Sequence, residues 1–430
     1  MNFAAALPSR SIILGTQLVF NIGFYAVVPF IAMHMRDDLL MGSTMIGIVL
    51  GVRTFSQQGM FFFGGLLAQR WGYRRLMLAG CAVRVLGYLG LALAQTPLLL
   101  IASAALTGLG GAMFSPSMEA LTAEIESRAQ QQQPSTGAPR TSLFAAFAVF
   151  GELGAVAGPV LGGLLMPWGF TWVAASCAGV FVLAAAVLYG TLPPARQGQA
   201  AAAGGEALRQ MAGQALRQRD FRWFALAYSS YLFSYNQLYM AVPAEIARIG
   251  APPLALSWLF VLASVLVIGL QLPIAALCRR MTARVALVIG FAWMALAFAA
   301  LLGSAVPAVP GDFAASWGST APVILFIIFL SLGQMFAAPV AMSLVPRFAA
   351  GRGLSVYYGL LASVGGLTVL CGNVLLGLAQ DGLASMATPG NARLSWGLAL
   401  LLPAASAYAM TRLRLPPDVQ SGSKPLETTV

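Results

Sequence analysis

Residues 151–163 read GELGAVAGPVLGG. The glycines fall at 151, 154, 158, 162 and 163, so at helical spacing most share one face, where a neighbouring backbone can come close. Pro159 lacks a backbone donor and bends a helix. Glu152 opens the stretch, and a carboxylate inside an apolar segment is costly enough to make function its default explanation. A small-residue seam, a kink and one titratable group on one helix describe a moving part coupled to protons.

The surrounding chain fits a membrane setting. Its 430 residues are 59% hydrophobic and 9% charged, against about 25% charged in soluble domains. Windows of about 20 apolar residues give twelve spans, near 11–33, 43–66, 76–95, 97–119, 141–165, 169–192, 222–243, 254–277, 284–303, 321–342, 355–378 and 395–411. The expected fold is all-α and polytopic: twelve transmembrane helices in two six-helix bundles. Residues 1–192 form the first bundle, 193–221 a cytoplasmic linker with room for a short surface helix, 222–411 the second bundle, and 412–430 a cytoplasmic tail.

The net charge of +11 is a matter of topology. With the N-terminus inside, 19 of the 24 Lys and Arg residues fall in cytoplasmic segments, which is the positive-inside pattern and leaves no case for a nucleic-acid partner. Arg36, Arg248 and Arg393 lie on the far side, while Arg53 and Arg84 lie inside spans. Both termini are then cytoplasmic, in the cell inner (plasma) membrane. No cleavable signal precedes Ser11, so the first span is expected to act as an uncleaved anchor. There is no GxxxxGK[ST] sequence, so a P-loop ATPase is excluded within the chain. Cys81, Cys177, Cys278 and Cys371 show neither disulfide nor zinc spacing, and no metal or other cofactor is expected. His34, the sole histidine, ends the first span and reads as an interfacial residue before it reads as a pH sensor. With no nucleophile or metal cluster, an enzyme lacks support.

The two halves are alike. GELGAVAGPVLGGLL at 151–165 aligns with GGLTVLCGNVLLGLA at 365–379. Arg70, Arg74 and Gly80 recur at the same spacing as Arg280, Arg284 and Gly290, and Met113-Phe114 as Met335-Phe336. Matches at three corresponding places indicate duplication, and parallel repeats about the membrane normal are a transporter arrangement. Asn373 stands where the first repeat has Pro159, so the halves need not bend alike.

These motifs resemble the major facilitator superfamily over essentially the whole chain. GGLLAQRWGYRRL, from Gly64 to Leu76, is similar to that superfamily's loop signature between spans 2 and 3, with Gly65, Gln69, Arg70, Gly72, Arg74 and Arg75 in its gating positions. GAVAGPVLGG, with Gly154, Gly158, Pro159, Gly162 and Gly163, is similar to the span-5 signature of the drug:proton antiporter branch. GVRTFSQQGMFFFGG at 51–65, Arg84, and LTGLGGAMFSPSMEAL at 106–121 resemble the MdtH-type multidrug transporters. The resemblance implies alternating access, efflux by antiport, a functional monomer, and a proton gradient in place of a cofactor. Two positions depart from it. Gln69 replaces an acidic residue that helps hold the bundles together, which implies that gating rests on other contacts. Ala104 replaces a buried arginine of span 4, so the family's usual proton-linked arginine is missing.

Several residues are candidates for chemistry. Glu152, near mid-bilayer, suits a proton carrier, since withdrawal from water favours a neutral carboxyl. The alternatives are a fixed ion pair with Arg53 or Arg84, or recognition of a cationic substrate. Arg53 stands one turn before Gln57, and both should face a cavity or another helix, because lipid cannot satisfy them. Arg84 suits packing within its bundle ahead of the alternative, contact with a ligand. Glu119 sits near the cytoplasmic end of span 4, free to snorkel or to pair with a loop arginine. Tyr228, Tyr231, Tyr235 and Tyr239 form one stripe on span 7, with Asn236 and Gln237 beside it. Such a stripe suits a cavity wall for amphipathic or cationic molecules, or else helix packing and an interfacial belt. Asn21, Tyr25 and Gln334 are companions of that cavity. The expected partners are a small-molecule substrate, protons and the lipid bilayer. The leading function is export of small amphipathic or drug-like molecules, and the alternative is uptake or facilitated diffusion of a polar metabolite.

Overall fold

An apolar chain in lipid must satisfy its backbone polar groups internally, and helices do this within one segment. The computed structural model describes residues 8–61, 63, 64, 67, 71–132, 143–192, 205–303, 313–350, 353–384 and 394–414. Among these residues the regular structure is helical throughout. Gly65, Gln69 and Arg70 of the loop signature lie outside the described residues.

The first half contains α1 (Arg10–Met33), α2 (Ser43–Gln58), α3 (Tyr73–Leu93), α4 (Pro97–Gln132), α5 (Leu143–Leu165) and α6 (Phe170–Thr191). A π-helical turn, His34–Asp38, continues α1, and Leu40 closes it with a φ of 51°. A short α7 (Gly205–Arg217) follows. The second half contains α8 (Arg219–Arg248), α9 (Pro253–Cys278), α10 (Ala283–Leu302), α11 (Phe313–Ala349), α12 (Leu354–Ala384) and α13 (Leu394–Arg412). Ten helices are long and apolar enough to cross a membrane by length and composition. Of the twelve expected spans, α2 is described over only 16 residues, and the 30-residue α8 is diluted by Tyr, Ser, Asn and Gln.

Helix pairing repeats between the halves. α1 packs on α5 and α3 on α4, as α8 packs on α12 and α10 on α11. The contacts match in detail. A Cβ on Gly80 would stand 2.9 Å from the Gly110 carbonyl oxygen, and one on Gly290 would stand 3.0 Å from that of Gly333. Arg74 Nη2 donates to the Tyr189 carbonyl at the end of α6 (2.7 Å), and Arg284 Nη2 donates to the Leu413 carbonyl at the end of α13 (2.9 Å). Last-turn carbonyls lack helical donors, so each arginine satisfies one. These two arginines brace their own halves.

Between the halves α2 packs on α12, α5 on α9 and α1 on α8. α4 runs well past the expected span, to Gln132. The linker's short helix, α7, docks through buried Ala215, and Met211 packs against Gly353 at the start of α12.

Candidate functional site

Arg74 and Arg284 tie the starts of α3 and α10 to the ends of α6 and α13, and with Arg217, Arg222, Arg279 and Arg412 at or near neighbouring helix ends they mark an arginine-rich end. At the opposite, far end the halves are tied together. Asp381 of α12 accepts the Ser43 N–H (2.8 Å), the Thr44 N–H (2.9 Å) and the Thr44 hydroxyl (2.6 Å). A carboxylate from the second half thus caps α2 of the first, where unpaired amide groups and the helix dipole favour negative charge. Arg36 donates to the Pro243 carbonyl at 3.0 Å, and Ser257 donates to the Pro159 carbonyl at 2.6 Å. Glycine makes the close approach possible: a Cβ on Gly51 would stand 2.9 Å from Leu370 Cα.

A buried polar chain crosses the seam toward mid-membrane. Asn236 donates to Thr54 (2.9 Å), Asn373 donates to Asn236 (3.0 Å), and Gln237 donates to Asn373 (2.9 Å). In lipid-like surroundings each amide needs a partner, and here the partners come from α2, α8 and α12.

Glu152 lies on the same seam, half-buried on α5. The Ser264 hydroxyl of α9 is within hydrogen-bonding reach. Tyr25, Tyr231 and Tyr235 are close enough to feel the charge of Glu152. Tyr25 and Tyr235 approach hydroxyl to hydroxyl at 3.3 Å, and Tyr235 meets Tyr239 edge to face at 6.2 Å. Among the described residues no ion pair joins Glu152 to Arg53 or Arg84.

Those two arginines turn into the first half. Arg53, 3% exposed, donates to Gln57 Oε1 (3.0 Å) and lies over the Phe24 ring at 4.6 Å. Arg84, fully buried, is enclosed by the Phe20, Phe24 and Phe181 rings at 4.2, 5.5 and 5.1 Å. None of its three guanidinium nitrogens makes a hydrogen bond of good geometry, although the Tyr88 hydroxyl stands beside it. It packs over Gly110 and Gly111 of α4, where side chains would collide with it.

Toward the arginine-rich end a cavity of 650 Å³ lies between the halves, with Ser363 of α12 donating to the Gly59 carbonyl of the first half at its edge (3.2 Å). Its walls include Gln58, Tyr73, Glu119, Tyr228, Tyr231 and Tyr358. The tyrosine stripe therefore divides. Tyr228 and Tyr231, stacked at 5.1 Å, line the cavity, while Tyr235 and Tyr239 lie in the closed seam above it. Asn236 belongs to the polar chain, Asn21 donates to the Gln17 carbonyl of its own helix (2.9 Å), and Gln57 holds Arg53. Gln334 is half-buried on α11, away from the cavity lining.

The motif glycines have two neighbours. Gly154, Gly158 and Gly162 press α5 against α1; a Cβ on Gly158 would stand 2.7 Å from Tyr25 Cβ. Gly163 faces Ser257 of α9 in the other half. In the loop signature, Gly72 has a φ of 79° and starts α3, and Arg75 is exposed. His34 stacks on Phe170 at 4.3 Å, with Nδ1 2.6 Å from Asp38 Oδ2. Asp381, Ser257 and Ser264 carry no mark in the sequence, since their partners lie in the other half and no local pattern singles them out.

A long helical chain with most segments apolar enough to span a bilayer, halves paired alike and a seam shut at one end is an integral membrane protein. The Major Facilitator Superfamily model matches residues 13–372. The chain is 31% identical over 416 residues to an uncharacterized MFS-type transporter of Mycobacterium tuberculosis, covering 94% of this chain and 93% of that protein. It is 30% identical over 272 residues to the multidrug resistance protein MdtH of Cronobacter sakazakii, covering 63% of this chain and 64% of MdtH. In fold it is similar to the nucleoside transporter NupG (TM-score 0.73, 14% identity, covering 94% of this chain and 99% of NupG). It is likewise similar to the peptide transporter POT (TM-score 0.73, 15% identity, 97% of both chains). The chain belongs to the Major Facilitator Superfamily, and within it resembles the MdtH multidrug resistance proteins.

Proposed function

We propose that this protein is a proton-coupled exporter of small amphipathic molecules. Twelve spans form two six-helix bundles, 1–192 and 222–411, which rock about the seam and expose the cavity to one side at a time. The arginine-rich end faces the cytoplasm by the positive-inside rule, so the open cavity takes substrate from within. The membrane is the cell inner membrane, and a monomer suffices.

The observation that carries the reading is the placing of Glu152. It sits on the moving boundary between Ser264 and a tyrosine cluster, with no arginine among the described residues paired to it. A proton bound there changes the charge at the boundary, and it shifts the balance of states by its differential affinity for them. The name of the MdtH relatives supports export.

The test uses purified protein in sealed liposomes, with labelled substrate and an imposed pH gradient. E152Q is expected to lose gradient-driven transport while keeping substrate exchange at equal pH. Gradient-driven transport equal to wild type in E152Q would end the reading, and the sign of movement separates export from uptake.

A further inference from the structure

Among the described residues lining the cavity, Glu119 is the one acidic or basic side chain; the others described are neutral polar or apolar. It projects from α4 and is exposed to the cavity space. No hydrogen bond or ion pair joins it to a described residue. Around it stand the rings of Phe61, Tyr73, Tyr228, Tyr231 and Tyr358. The Tyr358 hydroxyl donates to the Met342 carbonyl (3.0 Å), and the Tyr228 hydroxyl is buried, with no partner among the described residues, so these two rings turn faces rather than free hydroxyls to the cavity space.

We infer that Glu119 selects for charge in this cavity, and that the ligand it favours is an amphipathic organic monocation. Three points of chemistry lead there. A carboxylate on an apolar wall attracts a cation with little screening. Aromatic faces add attraction to a cation whose charge is spread over hydrocarbon. An anion would meet Glu119 with no counter-charge among the described wall residues, and a neutral molecule would cover the carboxylate without replacing its water.

The inference rests on the reading of this cavity as the substrate site.

Equilibrium binding to the purified full-length protein tests it, with tetraphenylphosphonium as the cation, triphenylphosphine oxide as the neutral analogue and tetraphenylborate as the anion. Wild type is expected to bind the cation about tenfold more tightly than the neutral analogue, and the anion more weakly than either. E119Q is expected to erase the tenfold preference while leaving the neutral analogue's affinity unchanged, and E119D to keep the preference. Equal wild-type affinity for all three probes overturns the inference, whatever the variants do. So does an E119Q protein that still prefers the cation. The outcome is separable from the export reading. Gradient-driven movement of the neutral analogue by E119Q upholds export even if the cation preference is absent, and a binding preference without any gradient-driven movement upholds only the cation site.

Discussion

Asp381 caps a helix that belongs to the other half of the molecule: its carboxylate takes both the amide and the hydroxyl of Thr44, at 2.9 and 2.6 Å. Losing an N-cap costs about 1–2 kcal/mol, a factor of roughly 5 to 30 in an equilibrium. In the proposed alternating-access cycle that equilibrium is the opening of the far end. D381A is therefore expected to raise the open population by that factor, read from spin-label distances across the α2–α12 boundary. Asparagine still caps, so D381N should shift it less. An unchanged distance distribution in D381A would show that the cap does not hold the far end shut.

The α1–α5 contact predicts a stability difference between two glycines. A Cβ on Gly158 meets Tyr25 Cβ at 2.7 Å and the Ile22 carbonyl at 2.8 Å, whereas Gly179 has open space. Overpacking costs about 1–3 kcal/mol, so G158A should lower the thermal midpoint in detergent. G179A should hold or raise it, because alanine favours the helix. Equal midpoints would contradict the packing described.

The amide chain across the seam is cooperative. Asn373, fully buried, accepts from Gln237 and donates to Asn236, and Gln237 Oε1 already lacks a partner. N373A strands two amides, at about 1–3 kcal/mol for each group left unsatisfied. Its effect on unfolding should be less than additive with that of N236A, measured as a double-mutant cycle. Strict additivity would mean that the two asparagines act independently.

Arg84 separates stability from activity. Replacing a buried, unpaired charge by a residue of similar volume is often neutral or stabilising, by about 1–4 kcal/mol. R84M should therefore keep the wild-type thermal midpoint or exceed it, and R84K, which stacks poorly on rings, should fall below it. Transport by R84M measures what the charge contributes; a folded R84M with full transport would leave Arg84 with no role beyond filling its aromatic cage.

Much of the fold was legible because lipid imposes simple rules: apolar length marks helices, and the repeated glycines and arginines mark the two halves. The matched roles of Arg74 and Arg284 were visible as spacing alone. The site was legible only in part. The period of 3.6 placed four tyrosines on one face but not the depth at which the seam closes, which assigns Tyr228 to the cavity and Tyr239 to the seam. The pairing of Arg53 with Gln57 followed from a one-turn spacing, while the direction of both into the first half depended on Phe24 of another helix. Asp381 and Thr44 stand 337 positions apart, beyond any local pattern.

The likeness of the halves also shows where they diverged. In the alignment of 151–165 with 365–379, Glu152 corresponds to Gly366, and in that of Met113-Phe114 with Met335-Phe336, Glu119 corresponds to Ala341. Gly366 lets α12 lie against Gln58 and Gly59, and Ala341 is fully buried. Gene doubling supplied a symmetric chassis, and both acids stand on one side of it. In the proposed cycle the strokes are then unequal, since the acids read as proton carrier and cation site both belong to one half and its twin supplies the wall opposite them.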